Sequence, residues 1–371
     1  MNTPSYPPPE PITGSYTADD CQFLLTPIKP EFTTIEDKER LIQSGQLHYS
    51  ELIHQESAPT QAYTQLFLQL TAQYKQRLAA EIMTLAKLIA ERRLGHICLV
   101  SLARAGTPIG VLLKRALQHH LGRSCSHYSI SIIRDRGIDT VALDYLLQQQ
   151  GYRDESLTFI DGWTAKGVIT QELKQAIGHY NTTHQRRVPD ELFVVSDIGG
   201  TADVAATYAD YTLPSALMNS TVSGLVSRSI LNSQVRPDQF HGCIRYDHLT
   251  EHDRSVWFIE QVAEQMASHH SLTDLPGART AHQARHQAFL NTLQQQYNVS
   301  DINRIKPGIA EATRVMLRRV PDLLLLQNPQ HEDVAHLVQL SQEKDIRIIE
   351  HPEMPFGACA LIKDVTREAA R

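Results

Sequence analysis

Cysteine is scarce in this sequence and its positions are widely separated. The chain has five cysteines and no CxxC pair, which excludes both a disulfide framework and a thiolate metal site. Long hydrophobic runs are also missing, since no stretch approaches the roughly 18 apolar residues that span a bilayer. Segment 1–16 is rich in proline and lacks the basic and apolar regions of a secretory signal. These absences predict a cytoplasmic protein without a membrane partner.

An excess of positive charge is missing as well. Lys and Arg number 35 against 41 Asp and Glu, so the net charge of −6 excludes general nucleic-acid binding by the whole chain. The net charge is still compatible with local basic sites that bind anions. What the chain does have is length and apolar content: 371 residues, 42% of them hydrophobic, predict a folded protein of two or three domains.

Short apolar runs alternate with helical periodicity through the middle of the chain. Strands are predicted at 96–103, 128–133, 157–160 and 192–195. Helices are predicted at 62–93, 111–121, 141–150, 169–179, 202–208 and 255–268. Strands that alternate with helices indicate a parallel sheet with helical crossovers, so the fold class is α/β.

The domain prediction divides the chain into four parts. Residues 1–40 are expected to be irregular, 41–270 to form the large α/β domain, 271–300 a linker and helix, and 301–371 a small α/β domain. The linker itself is placed at 269–281. In the small domain, helices are predicted at 307–320 and 332–343, and strands at 322–327 and 346–350.

The segment after the third predicted strand has the composition of a phosphate-binding loop. Asp161 ends the strand, Thr164-Ala165-Lys166-Gly167 forms a loop, and Thr170 begins the next helix. Backbone N–H groups at a helix N-terminus bind anions, glycine permits close approach, and hydroxyls donate hydrogen bonds. A carboxylate beside such a loop suits a ribose 5-phosphate. The triphosphate-binding motif G-x-x-x-x-G-K-[ST] is absent from this sequence.

Charged residues also follow the other predicted strands. Ligands bind at the carboxyl ends of parallel strands, so Arg104, Arg134, Asp161 and Asp197 are expected to meet at one rim.

Two further segments are candidates for binding the second substrate, the one that accepts a transferred group. The first is a strand-end turn with Asp197, Gly199 and Thr201. The second is segment 214–228, which is dense in hydroxyl and amide groups and contributes Asn219, Ser223 and Arg228 as a polar substrate hood. An ordinary polar loop explains the second segment equally well.

The phosphate loop carries a specific resemblance. Segment 159–170 resembles the phosphoribosyl-diphosphate motif of type I phosphoribosyltransferases, and segment 100–110 resembles the first loop of that fold, which holds pyrophosphate. The resemblance implies a type I phosphoribosyltransferase-like parallel sheet, Mg²⁺ as cofactor, and phosphoribosyl diphosphate or a related ribose phosphate as ligand. Gly162 stands where the family usually has a second acidic residue.

The same resemblance assigns roles to individual residues. It implies Asp161, Arg134 and Arg136 as catalytic residues, the two arginines neutralising the negative charge that develops on the leaving pyrophosphate. The alternative is that both arginines form surface ion pairs. Arg104 and the backbone at Ala105 and Gly106 would bind pyrophosphate, and Asp161 would hold the ribose hydroxyls and meet the metal indirectly, through the Mg²⁺-bound substrate. Gly162 belongs to the same substrate site. The residues that would hold the 5-phosphate are Thr164, Ala165, Lys166, Gly167 and Thr170.

The C-terminal domain resembles the pelota-like RNA-binding domain. Gly308, Glu311 and Arg314 match its signature, Gly-x-Asn-Glu followed by a basic residue, while Ala310 replaces the asparagine. Lys306 lies nearby and adds a cation for RNA phosphates. RNA is therefore an expected partner, through the resemblance. From about residue 20 onward, the chain resembles a family of phosphoribosyltransferase-like proteins with a pelota-like domain. This family occurs in bacterial tellurite-resistance and stress gene neighbourhoods, and some members are labelled cysteine protease StiP.

The protease label points to Cys243. His241 lies two residues before it, but the local signatures of known thiol proteases are absent and cysteine is often simply buried. We therefore rank protease activity third.

The leading hypothesis is a glycosyltransferase of the phosphoribosyltransferase type, acting at ribose C1 in the synthesis of a nucleotide-like metabolite linked to stress or tellurite resistance. The second is a non-catalytic ribonucleotide-sensing or RNA-binding regulator, which Gly162 favours. The acceptor, the reaction direction, the RNA target and the oligomeric state, a homodimer included, are left open.

Overall fold

The structure is a computed structural model that describes residues 10–268 and 278–364. The start of the predicted irregular segment, most of the predicted linker and the last seven residues of the predicted small domain lie outside the described residues. Among the described residues, none of the helices combines the length and apolar character that crossing a bilayer requires.

Helices and strands alternate along the chain. The helices are α1 Ile35–Gln43, α2 Gln61–Arg92, α3 Thr107–Arg115, α4 Thr140–Asp144, α5 Val168–His184, α6 Ser255–Ala263, α7 Ala278–Gln296, α8 Ile309–Arg318 and α9 Ala335–Glu343. The first ten strands are β1 Gln22–Leu24, β2 Thr26–Pro27, β3 Ile97–Leu102, β4 Cys125–Ile130, β5 Ile132–Ile133, β6 Gly137–Ile138, β7 Leu157–Thr164, β8 Leu192–Asp197, β9 Val204–Thr207 and β10 Gly242–Cys243. The last four are β11 Ile305–Pro307, β12 Pro321–Leu326, β13 Arg347–Glu350 and β14 Ala358–Ile362.

The larger unit is built on a six-stranded parallel sheet in the order β1-β4-β3-β7-β8-β9. Alternate residues of β3 enter opposite cores: Ile97 and Leu99 pack with α2, α3 and α6, while Cys98 and Val100 pack with α4 and α5. A sheet covered by helices on both faces needs continuous apolar strands, and β3 and β8 are buried throughout.

The smaller unit has a four-stranded sheet in the order β11-β14-β12-β13, with one parallel pair, β12 and β13. One face packs against α8 and α9, and the other contributes to a core that includes Phe289 and Leu293 of α7. That second core also contains Ala165 and Ile198 of the larger unit, so the two units pack together directly. The predicted α/β fold class, with a parallel-sheet domain and a small α/β C-terminal domain, is confirmed.

Three predicted elements are corrected. Segment 202–208 is not a helix, because β9 pairs with β8 through Val204 and Ala205 and completes the sheet edge. The first forty residues are not wholly irregular: β1 pairs with β4, and α1 begins at Ile35. Strand β7 continues to Thr164, so Asp161 lies within the strand, opposite Val194.

Candidate anion-binding site

A cavity of about 530 Å³ lies where the carboxyl edge of the six-stranded sheet faces the smaller unit. We call it the basic cavity because of its lining. Its nine basic side chains are Lys38, Arg104, Arg134, Lys166, Arg228, Arg304, Lys306, Arg314 and Arg319. Its four acidic side chains are Glu56, Asp161, Asp301 and Glu311. A strong positive excess therefore gathers here in a chain whose net charge is −6.

The loop between β7 and α5 forms one wall of the basic cavity. Thr164, Ala165, Lys166 and Gly167 all line it, as the phosphate-loop prediction requires. Gly167 has φ +73° and immediately precedes α5, and no side chain caps that helix. The first residues of this 17-residue helix, Val168 and Ile169, line the cavity, and an uncapped helix N-terminus favours anions.

Asp161, in the strand β7 that precedes the loop, also lines the cavity. One carboxyl oxygen accepts a hydrogen bond from the backbone N–H of Gly162 at 2.8 Å. The other oxygen has no hydrogen-bond partner among residues 10–268 and 278–364. Burial raises the pKa of Asp161 to about 7, so near neutral pH the protonated and ionised forms of this carboxyl group are both populated.

Lys166 ties the loop to the smaller unit. Its ammonium group donates hydrogen bonds to the carbonyl oxygens of Ile302 at 2.9 Å and Ile305 at 3.0 Å. Burial, followed by the charge of Lys306, lowers the pKa of Lys166 to about 7. This side chain therefore contributes less positive charge than an exposed lysine and holds the two units together.

Arg104 is fixed by three acceptors. Its guanidinium donates to the Glu56 carboxylate at 3.2 Å, the Asn219 amide oxygen at 2.7 Å and the carbonyl oxygen of Val226 at 3.2 Å. Both Arg104 and Asn219 line the cavity, and their roles in binding pyrophosphate and substrate stay predictions. The guanidinium is thus preorganised, and its remaining N–H groups are the ones left for a ligand.

The two arginines of segment 134–136 lie in different environments. Arg134 lines the cavity, donates to the Asn303 side chain at 2.9 Å and lies 5.3 Å from the ring centre of Tyr49. Arg136 forms an ion pair with Glu51 and is not part of the cavity lining. The structure therefore separates a pair that the sequence treated alike.

Arg228 approaches the same tyrosine from another loop. Its guanidinium lies 5.6 Å from the Tyr49 ring centre and donates to the carbonyl oxygens of Leu52 and Ser229. Burial lowers the pKa of Arg228 to about 10, which still leaves it charged at neutral pH.

Several predicted binding residues lie outside the cavity lining. They are Ala105, Gly106, Gly162, Thr170, Asp197, Gly199, Thr201 and Ser223. Asp197 is buried and accepts hydrogen bonds from the N–H groups of Thr201 at 2.9 Å and Ala202 at 2.8 Å, so it stabilises its own turn. A Cβ at Gly199 would lie 1.7 Å from the carbonyl oxygen of Ala165, which explains a glycine there by packing.

The predicted RNA-binding residues divide in the same way. Lys306, Glu311 and Arg314 line the cavity, and the ammonium of Lys306 has no hydrogen bond or ion pair with any described residue. Burial alone would raise the pKa of Glu311, but Arg314 and Lys306 lower it to about 2. Gly308 instead packs against Ile198, outside the lining.

Next to Gly308, the N-terminus of α8 is already occupied. The carboxylate of Asp210, from the larger unit, accepts hydrogen bonds from the N–H groups of Ile309 at 3.0 Å and Gly357 at 2.8 Å. An RNA phosphate at this helix end would have to displace Asp210.

The sequence missed several residues that line the cavity. Lys38, Tyr49, Glu56 and Asn303 come from distant segments and belong to no local motif. Trp163 was missed as well, although it lies inside the phosphate-loop segment and is one of two tryptophans in the chain.

All five thiols are buried. Burial raises the pKa of Cys243 to about 12, and the imidazole of His241 contacts the Ser131 hydroxyl at 2.7 Å rather than a thiol. In the described residues, no three His, Cys, Asp or Glu side chains converge as metal ligands. The predicted Mg²⁺ stays a prediction.

The fold and the cavity define a two-unit α/β protein with a cavity rich in basic side chains between the units. Residues 14–263 match the family model described as "Tellurite-like stress resistance cysteine protease StiP", and residues 284–364 match the PELOTA RNA-binding domain. The chain belongs to the StiP family, and its C-terminal unit is a PELOTA domain.

Comparison with individual proteins agrees with this membership. The chain is 43% identical over 367 residues to "Cysteine protease StiP" of Acinetobacter baylyi, covering 95% of this chain and 94% of the relative. Among solved structures, hypoxanthine phosphoribosyltransferase from Trypanosoma cruzi is 14% identical, with a TM-score of 0.29, over 51% of this chain and 90% of that one. A likeness that weak says nothing about substrate.

These findings correct the functional prediction. The predicted phosphoribosyltransferase activity is wrong, because both the family and the relative are named for a cysteine protease. The ranking of the protease in third place is wrong for the same reason. Both names are those of an enzyme, so the broader prediction of an enzyme is confirmed, and the predicted glycosyltransferase class is not.

Proposed function

We propose that the basic cavity binds a ligand that carries phosphate groups and that the protein acts through this site. The observation that supports the proposal is the surplus of positive charge, nine basic against four acidic side chains around one cavity. Such a surplus in a partly enclosed space of low dielectric attracts anions far more strongly than the same charges on an open surface.

Phosphate suits this lining better than a single carboxylate. Arginine guanidinium groups bind phosphate oxygens in pairs, and the uncapped N-terminus of α5 adds backbone donors at the same wall. The cavity volume of about 530 Å³ lies within the range of small-molecule sites. The ligand we propose therefore carries more than one anionic group and is of nucleotide size.

Two other partners remain proposals. Mg²⁺ would arrive bound to the ligand's phosphates, because the described residues offer no three-ligand metal cluster. RNA is proposed as a partner of the C-terminal unit, supported by the PELOTA match and by Lys306 and Arg314 in the cavity wall.

Calorimetric titration with sodium pyrophosphate, with and without MgCl₂, tests the proposed site. Arg134→Met and Arg136→Met form a matched pair, because both arginines lie in one short segment and only Arg134 lines the cavity. We expect Arg134→Met to weaken binding at least about tenfold, the size of a lost charge-assisted hydrogen bond. Arg136→Met should change it less than about twofold. No binding by the wild type, or equal losses in both variants, would contradict the proposal.

Thiol-dependent peptidase activity is the second candidate, supported by the names of the family and of the 43% identical relative. A thiolate nucleophile needs a lowered pKa and an accessible sulfur, whereas Cys243 is buried with a raised pKa. Such activity through Cys243 would therefore require the strand β10 to move.

Hydrolysis of unfolded casein tests the peptidase. Cys243→Ala should abolish a Cys243-dependent activity, and Cys125→Ala, another buried thiol, should leave it intact. Hydrolysis that persists in Cys243→Ala would exclude this cysteine as the nucleophile.

A further inference from the structure

Two side chains at the end of β7 face the basic cavity together. The strand is buried except at Asp161 and Trp163, which are partly exposed and two residues apart. Alternate residues of a strand project from the same face, so the carboxyl group and the indole are neighbours about 7 Å apart along the strand. Both line the cavity.

The C-terminal unit holds the indole in place. The Trp163 Nε1–H donates to the Glu311 carboxylate at 3.3 Å, and the Arg314 guanidinium lies 5.5 Å from the indole ring. Arg314 in turn donates to Glu311 at 3.0 Å. The orientation of Trp163, a residue of the larger unit, is therefore fixed by two residues of α8 in the smaller unit.

We propose that Trp163, Asp161, Glu311 and Arg314 form a composite subsite that recognises a planar heteroaromatic ring on the phosphate-bearing ligand, so that the ligand is a nucleobase–phosphate unit. This inference rests on the proposed function. The indole and the guanidinium offer flat surfaces for stacking, and such contacts favour any base because every base has a π-face.

Asp161 supplies a polar group beside the indole of Trp163. One of its oxygens has no hydrogen-bond partner among the described residues, and it lies one strand repeat from the indole. A ring stacked near Trp163 would present its N–H or amino edge to this oxygen. A carboxyl group beside an aromatic platform distinguishes a base from a bare anion, which needs only the cations.

Titrations with three probes test the subsite: pyrophosphate, adenosine monophosphate and hexauridylate. Trp163→Leu should weaken the base-containing probe about tenfold, the scale of a lost stacking contact, and change pyrophosphate binding less than about twofold. Trp163→Phe should restore most of the loss. Pyrophosphate binding by Trp163→Leu also shows that the variant is folded.

Fluorescence adds an independent readout. The only other tryptophan is Trp257, so Trp257→Phe leaves Trp163 as the single reporter. A stacked base should quench this signal and pyrophosphate should not. If adenosine monophosphate binds in a Trp163-dependent way, the ligand is a free nucleotide. If only hexauridylate does so, the ligand is a single-stranded RNA. Either result supports the subsite. Equal losses for pyrophosphate and the base-containing probes, or base binding without quenching, would overturn it. Failure of wild type to bind pyrophosphate would instead count against the proposed function.

Discussion

The loop after β7 and the strand that holds Cys243 belong to the same α/β unit but lie in opposite environments. The loop lines a cavity with Lys166 and Gly167, and no side chain caps the helix that follows it. Cys243 lies inside the apolar core with Phe23 and Leu25. One segment borders a cavity rich in basic side chains, and the other lies in the apolar core.

The ionisable groups of these two regions differ in what shifts their pKa values. In the cavity, charged groups shift each other's pKa values: Arg314 and Lys306 lower the pKa of Glu311, although burial alone would raise it. At Cys243 burial dominates and raises the pKa, with only Arg245 opposing it. Activated groups occur where charges and exposure combine, so the cavity is the better candidate for function.

The largest expected effect concerns the thiols. Because all five are buried, their labelling by Ellman's reagent in the native protein should be at least about a hundredfold slower than in guanidinium. A single thiol that reacts rapidly in the native protein, and whose reaction disappears in Cys243→Ala, would reverse the comparison and favour the peptidase.

A smaller effect is expected from pH. The pKa values of Asp161 and Lys166 are both about 7, so both groups gain protons as pH falls from 8.5 to 6 and the cavity becomes more positive. His54 stays neutral over this range, since burial and the charge of Lys38 lower its pKa to about 4. Affinity for sulfate, whose charge is constant here, should rise about fivefold by calorimetry.

The matched variant for this pH profile is Asp161→Asn. Its amide oxygen can keep the hydrogen bond from Gly162, but the side chain no longer titrates. About half of the pH dependence should disappear. A profile that is flat in the wild type, or unchanged in Asp161→Asn, would show that Asp161 does not face the bound anion.

Local pattern was enough to predict the fold and one wall of the site. The apolar strands of the sheet and the segment from Asp161 to Gly167 are each made of contiguous residues. The alternation of β3, α3, β4 and β7 and the position of this segment therefore follow from periodicity and turn chemistry. Segment 202–208 failed because its alanines allow a helix, while pairing with β8 makes it a strand.

The remaining walls depend on tertiary contacts that no local pattern contains. Arg134 and Arg136 lie on either side of Asp135 in sequence, and the packing of Asn303 and Tyr49 against Arg134 distinguishes their environments. The capture of the α8 N-terminus by Asp210 likewise joins residues about a hundred positions apart. The protease assignment came from whole-chain similarity, because the environment of Cys243 does not indicate it.

A crystal structure of the protein grown with sodium pyrophosphate tests the central claim most directly. We predict pyrophosphate inside the basic cavity, within about 3 Å of the Arg134 guanidinium and the Lys306 ammonium, beside the N-terminus of α5. Pyrophosphate bound only at the Ala105–Gly106 turn, outside the cavity lining, or a cavity left empty at saturating concentration, would contradict this account.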